Sequence, residues 1–217
     1  MDTTLSSISS LEEFMNTRTK QNPQVRRTKE WLRSSIISLL REKPLYDISI
    51  NELVENANLS RSAFYNHYSS KSEILAEYAE ELYLNYIATV FRSNTKTQFE
   101  NWKLLLSHYY EAREFYVLVY DNNLSSLIYD TQIKNRHYMI SAIEKTIGYN
   151  IVDKELYYNI FVPYHRRAEL EYTLSWLKNG AKESIDEMAQ LFSSLSSIDA
   201  FEHFRLLYSR HDDSCYN

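Results

Sequence analysis

Between Ser60 and Asn66 the chain places two serines, an arginine, an alanine and an asparagine within about two helical turns. A guanidinium fork, hydroxyls and a carboxamide are hydrogen-bonding groups suited to reading the edge of a partner molecule. The constellations of catalysis are missing. There is no G-x-S-x-G elbow, no Walker lysine and no paired-carboxylate motif. His108, His137, His165, His203 and His211 are scattered, with no i, i+4 partner and no cysteine companions, so neither a metal site nor a cofactor is expected. The chemistry on offer is recognition, and no enzymatic activity is expected.

Recognition needs a frame, and the flanking sequence supplies one. A first helix is expected from about Arg27 to Arg41, with Leu32, Ile36, Leu39 and Leu40 on one face and Pro44 beyond its end. A second starts after Ser49, where Ser49-Ile50-Asn51-Glu52 reads as a capping box, and carries Ile50, Leu53, Val54 and Ala57 at buried-face spacing. Only Asn58-Leu59-Ser60 separates it from a third helix. Asn58 is suited to the left-handed conformation that reverses the chain, and Ser60 is a natural N-cap. Two short helices so closely joined form a helix-turn-helix. The first braces the second, which can enter a major groove about 12 Å wide and present Arg61, Ser62, Ala63 and Asn66 to base edges. A fourth helix opens with another capping box, Ser70-Lys71-Ser72-Glu73, and continues through Ile74, Leu75, Tyr78 and Leu82.

Downstream the helices lengthen. Segments are expected at Gln98–Ala112, Phe115–Tyr120, Ser125–Lys145, Lys154–Asn179 and Ser184–Phe192, with an apolar stretch from Phe201 to Tyr208. Gly180 is a C-cap signal, and Ser184-Ile185-Asp186-Glu187 is a third capping box. Leu170, Thr173, Leu174 and Leu177 form one apolar stripe, and Ile185, Met188, Ala189 and Phe192 another. Two such hairpins from two subunits would pack as a four-helix bundle and make a homodimer through the C-terminal helices. A two-fold dimer would set its recognition helices about 34–36 Å apart, matching a palindrome.

Two glycines and three prolines in 217 residues leave little for tight-turned sheets, so the fold class is all-α. Three parts are expected: a flexible arm over 1–24, a helix-turn-helix domain over 25–72, and a larger helical domain over 73–217 for effector binding and dimerisation. The single cysteine, Cys215, the absence of a basic leader and the absence of an apolar run of roughly 20 residues point to a cytoplasmic protein that meets no membrane. Net charge is −5, yet Arg18 to Leu75 carries +4 and the chain beyond carries −6. A basic front on an acidic body suits a DNA reader, because phosphates are then drawn to one end.

The run from Ile48 to Leu75 resembles the signature of TetR-family (TetR/AcrR-type) transcriptional regulators. Phe64, Tyr65, His67, Tyr68 and Lys71 stand at the family's spacing, while Asn58 stands where glycine is frequent. The resemblance covers about 50 residues, Arg26 to Leu75, and implies a sequence-specific double-stranded DNA-binding regulator, a repressor that dimerises on a palindromic operator. It implies that Arg61 pairs with guanine, that Ser62 and Asn66 make polar contacts, and that Tyr65, His67, Lys71 and Ser49 meet phosphates; Phe64 and Tyr68 would pack. It also implies a small-molecule effector of unknown identity, for which Trp102, Tyr109 and Tyr138 are the nominated contacts. The alternative is a helical coregulator acting through protein–protein contacts without DNA. The presence of Arg61, Tyr65, His67 and Lys71 gives no sign of such a loss.

Overall fold

The computed structural model describes residues 22–93, 95, 97–147 and 162–195, with the side chains of 142–147 and 162 excepted. Among them are ten α-helices and no strand, as the scarcity of glycine predicts. The expected arm up to residue 21 and the stretch 201–208 lie outside the described residues.

The first helix, α1, runs Pro23–Leu40, four residues earlier than the apolar pattern indicates. Its start is set by chemistry that the pattern does not contain. Asn22 Oδ1 accepts from the Gln24 amide at 2.9 Å, and Pro23 fills the first position, where an amide would be wasted. A 3₁₀ turn, Leu45–Asp47, leads to α2, Ile50–Asn56, and α3, Arg61–Tyr65. Next comes α4, Lys71–Arg92, whose 22 residues give it a length of roughly 33 Å. It begins in the small N-terminal unit and continues into the larger one, so the two are joined by a continuous helix across the expected boundary at residue 72.

The expected capping box at the head of α4 forms differently. Ser70 makes no side-chain cap, and its hydroxyl meets Ser72 Oγ at 3.0 Å. Glu73 instead reaches Ser69, accepting from its amide at 2.8 Å and from its hydroxyl. These bonds hold the Glu73 carboxyl below the usual carboxylate range.

The larger unit contains α5 (Gln98–Glu111), α6 (Arg113–Asp121), α7 (Ser125–Lys134), α8 (Arg136–Ile147), α9 (Val162–Lys178) and α10 (Ile185–Ser194). The C-terminal half of α4 is its axis. Tyr83, Leu84, Tyr86, Ile87, Ala88, Val90 and Phe91 are all buried, with α5, α7 and α8 packed around them. The expected single helix Ser125–Lys145 is broken at Asn135. Its carboxamide is buried and donates to Thr131 O at 3.0 Å and Glu80 Oε1 at 2.9 Å, a local alternative to continued helix. Three helices close on a residue of positive φ, namely Asn58 (φ 53°), Asn123 (φ 58°) and Gly180 (φ 86°). In each the next amide reaches back five residues, at 2.8–2.9 Å: Leu59 to Val54, Leu124 to Val119 and Ala181 to Trp176.

The two apolar stripes assigned to a partner subunit turn inward instead. Leu170, Thr173, Leu174 and Leu177 are buried, as are Met188, Ala189 and Phe192, and Ile185 is half-buried. They pack α9 on α6 and α7, and α10 on α5, within one subunit. What α9 and α10 leave outside is Tyr164 (74% exposed), Tyr172 (61%), Leu191 (44%) and Leu195 (62%).

Candidate nucleic-acid interface

The N-terminal unit is a bundle built to present α3. Phe64 is wholly buried, together with Leu32, Ile36, Leu53, Ile48 and Leu75. Its ring lies edge-on to Tyr65 at 5.1 Å and tilted to Tyr68 at 6.1 Å. Truncating such a phenylalanine costs about 3–5 kcal/mol, so this one side chain fixes which face of α3 looks out. The Ser35 hydroxyl, buried on α1, donates to Leu53 O at 2.8 Å and ties the bracing helix down. Lys43 pairs with Glu52 across the same side at 2.5 Å, and this bond lowers the Glu52 pKa.

Each expected site residue has a definite place. Ser49 and Ser60 are exposed N-caps, accepting from the amides of Glu52 at 3.1 Å and Ala63 at 3.2 Å. Arg61 and Ser62 are exposed, and Ala63 is half-buried beside them. The Arg61 guanidinium lies over the Tyr65 ring at 5.9 Å, and Ser62 Oγ meets Ser60 Oγ at 2.9 Å. Tyr65 is 51% exposed. Asn66 is the C-cap of α3, solvent-facing and one turn beyond Ser62. The outer face of α3 therefore gathers Arg61, Ser62, Tyr65 and Asn66.

His67 and Lys71 stand apart from that face. His67 is half-buried and lines a cleft of about 830 Å³ between the two units, opposite Leu127, Asp130 and Lys134. The Lys71 ammonium donates to Leu45 O at 2.7 Å and to Ile48 O, pinning the 3₁₀ turn against the start of α4. The pinned turn exposes Tyr46 at 82%, a residue that the sequence pattern did not mark. The available signal was its place in the short turn between Pro44 and the buried Ile48.

In the larger unit the three nominated effector contacts are not gathered in one place. Trp102 stacks on Phe192 of α10 at 4.9 Å, and Tyr138 lies beside His137 at 4.0 Å. Tyr109 is buried in a different group, made with Tyr83, Tyr86, His108 and Tyr116. Its hydroxyl accepts from Gln132 Nε2, and His108 Nε2 lies 2.9 Å from the Tyr116 hydroxyl. Burial pushes the His108 pKa down to about 4 and the Tyr83 phenol up to about 12. Tyr86, Tyr109 and Tyr116 are raised further for the same reason. Glu169, on α9, is raised by burial, which the neighbouring Arg166 opposes. Among the described residues no group of acidic, histidine or cysteine side chains could hold a metal ion, and no helix is long and apolar enough to cross a membrane.

Comparison with known proteins follows the same division of the chain. Residues 33–78, from the second half of α1 through α3 into α4, match the family of bacterial regulatory proteins, tetR family. No curated protein matches the chain. Among solved structures, Lin0861 from Listeria innocua shares 14% identity over 80% of this chain and 91% of its own, with a TM-score of 0.66. The fatty acid degradation regulator FadR from Bacillus halodurans shares 12% over 81% and 95%, with a TM-score of 0.52. At these identities the likeness is one of fold, and it extends well beyond the matched N-terminal unit. The family match falls on the helix-turn-helix whose outer face has just been described, so residues 33–78 form an N-terminal unit like that of the tetR family, and the chain carries the DNA-binding unit of a transcriptional regulator.

Proposed function

We propose that the protein is a homodimeric, ligand-responsive repressor that reads a palindromic operator with α3. The carrying observation is the outer face of that helix, where Arg61, Ser62 and Asn66 are exposed while Phe64 anchors the opposite side. Arg61 is assigned to a guanine, where a bidentate pair gives about 1–3 kcal/mol of discrimination. Ser62 and Asn66 make adaptable polar contacts, and Ala63 gives an apolar one. Ser49, Ser60, Tyr65 and the exposed Tyr46 are assigned to phosphates, with His67 at the rim. Lys71 spends two of its three donors on the carbonyls of Leu45 and Ile48. It is therefore a positioning residue for the turn that carries Tyr46, with one N–H left for a phosphate.

The partner surface is drawn from the outer sides of α9 and α10, through Tyr164, Tyr172, Leu191 and Leu195. The effector region is the buried aromatic group around Tyr109. It has a direct route to the DNA-reading unit, since Tyr116 adjoins Phe115, Phe115 packs on Tyr78 at 4.7 Å, and Arg33 of α1 lies over Tyr78 at 4.4 Å. An effector that favours one arrangement of these rings would shift the equilibrium by its differential affinity alone.

The test is selection from a pool of random duplexes, followed by competition with base-substituted sites. A palindrome is expected, with Arg61→Ala relaxing preference at one symmetric pair of positions by about 1–3 kcal/mol. No enrichment at low salt overturns the reading and moves the chain to the coregulator class.

A further inference from the structure

The cleft beside His67 has walls that DNA reading does not use. One is a stripe of α4, Glu73, Ala76, Glu77 and Glu80, at the i, i+3, i+4, i+7 spacing of a single helix face. The other is a stripe of α7 at the same spacing, Leu127, Asp130, Thr131 and Lys134, with Leu124 just before it. Elsewhere the two units touch directly. Arg41 at the end of α1 pairs with Glu114 of α6, and Arg33 lies over Tyr78, which packs on Phe115. Between the stripes they leave about 830 Å³. Small-molecule sites span roughly 300–1,000 Å³, so the space suits one such guest.

Carbon lies deep in this cleft and charge lies outside. Tyr68 and Thr131 are buried, and Ala76, Leu124 and Leu127 are half-buried, while Glu73 and Asp130 are exposed. Of the four carboxylates in the lining, two are offset by cations. Glu77 pairs with Lys29 at 2.9 Å, and Glu80 pairs with Lys134 at 2.9 Å. Glu73 accepts from the Ser69 amide and hydroxyl, which keep it ionised but bring no positive charge. Asp130 makes no hydrogen bond or ion pair among the described residues. Two negative charges therefore stand uncompensated, one on each wall, above an apolar interior.

Going beyond the reading above, we propose that this cleft binds a small amphipathic organic cation, with its ammonium at Glu73 and Asp130 and its apolar body on Ala76, Leu124 and Leu127. The site is separate from the buried aromatic group around Tyr109, which contributes no residue to it. Charge and carbon select together. An anion meets two like charges, a neutral guest forgoes their attraction, and a bare ammonium covers none of the apolar wall.

The test uses the full-length protein and isothermal calorimetry at pH 8 and low salt. The probes are 4-phenylbutylammonium, its neutral counterpart 4-phenylbutanol, its anionic counterpart 4-phenylbutanoate, and ammonium chloride. The organic cation is expected to bind at least threefold more tightly than the alcohol and at least tenfold more tightly than the carboxylate or ammonium. Its advantage over the alcohol should shrink in 0.5 M salt. Asp130→Asn is expected to weaken the cation about two- to fivefold, as for an exposed ion pair, and to leave the alcohol unchanged. Glu111→Gln removes the same charge from an exposed position outside the cleft and should leave the cation's affinity as it is. Asp130→Lys should reverse the order of cation and carboxylate. No binding of the cation, alcohol binding as tightly as the cation, or equal effects of Asp130→Asn and Glu111→Gln each overturn the inference.

Discussion

His108 gives the protein an acid-side weakness whose size follows from its surroundings. The imidazole is buried among Tyr86, Tyr109 and Tyr116, and burial lowers its pKa from 6.5 to about 4. The folded state thus holds His108 neutral at pH values where the unfolded chain binds a proton. Stability from this group is complete above pH 6.5 and is lost as pH falls toward 4. At 1.36 kcal/mol per pH unit the full loss is about 3 kcal/mol, of which about 2 kcal/mol is already gone at pH 5. The assay is urea unfolding of wild type and His108→Gln at pH 7.5, 6, 5 and 4.5. Glutamine keeps a hydrogen-bonding group near the Tyr116 hydroxyl and does not titrate. The other ionisable groups cancel in the comparison, including the carboxyls of Glu73 and Glu187, which are held low, and that of Glu169, which is held high. The gap between variant and wild type should therefore move by about 2 kcal/mol in the variant's favour between pH 7.5 and 5. A gap that stays constant across this range refutes the reasoning.

Phe64→Ala should lose about 3–5 kcal/mol and abolish DNA binding, read by calorimetric unfolding alongside a duplex-binding titration. Asn58→Gly should leave the melting temperature within a degree or two or raise it, whereas Asn58→Val should cost about 1–2 kcal/mol, because φ is +53° there. Tyr172→Glu, on the exposed side of α9, should leave the fold intact by circular dichroism and yield a monomer in sedimentation, and a persistent dimer would place the partner surface elsewhere.

How far the sequence could be read depended on whether the signal was local. The Ser184–Glu187 capping box forms as written, with both bonds present, because its partners lie within one turn. Asn58 takes the left-handed turn for the same reason, as the choice rests on one residue's backbone. At α4 the reading slipped by one residue. Ser69 and Ser70 are chemically alike, and nothing local told which of them Glu73 would reach. The break at Asn135 was invisible for a different reason: one of the bonds that hold its carboxamide comes from Glu80, 55 residues away. The stripes on α9 and α10 show the general limit. Periodicity says that Leu174 and Ala189 face something apolar, but not whether it belongs to the same subunit, and here α5, α6 and α7 fill that place. The polar aromatic group is the case most easily missed. Tyr83 and Tyr86 sit on the buried side of α4, but a tyrosine in an apolar stripe reads as filler until it is seen to join His108, Tyr109 and Tyr116.

The unbroken α4 makes the molecule a lever. Its far end is packed on several sides by the body, and its near end, pinned through Lys71 and paired with α1 through Lys29–Glu77 and Arg33–Glu81, carries the reading head. Over roughly 33 Å, a tilt of about 6° at the packed end displaces the other by about 3.5 Å, close to the rise between successive bases. A repacking that shifts the packed end by little more than an ångström is therefore large enough, at the tip, to put both recognition helices of the proposed dimer one step out of register.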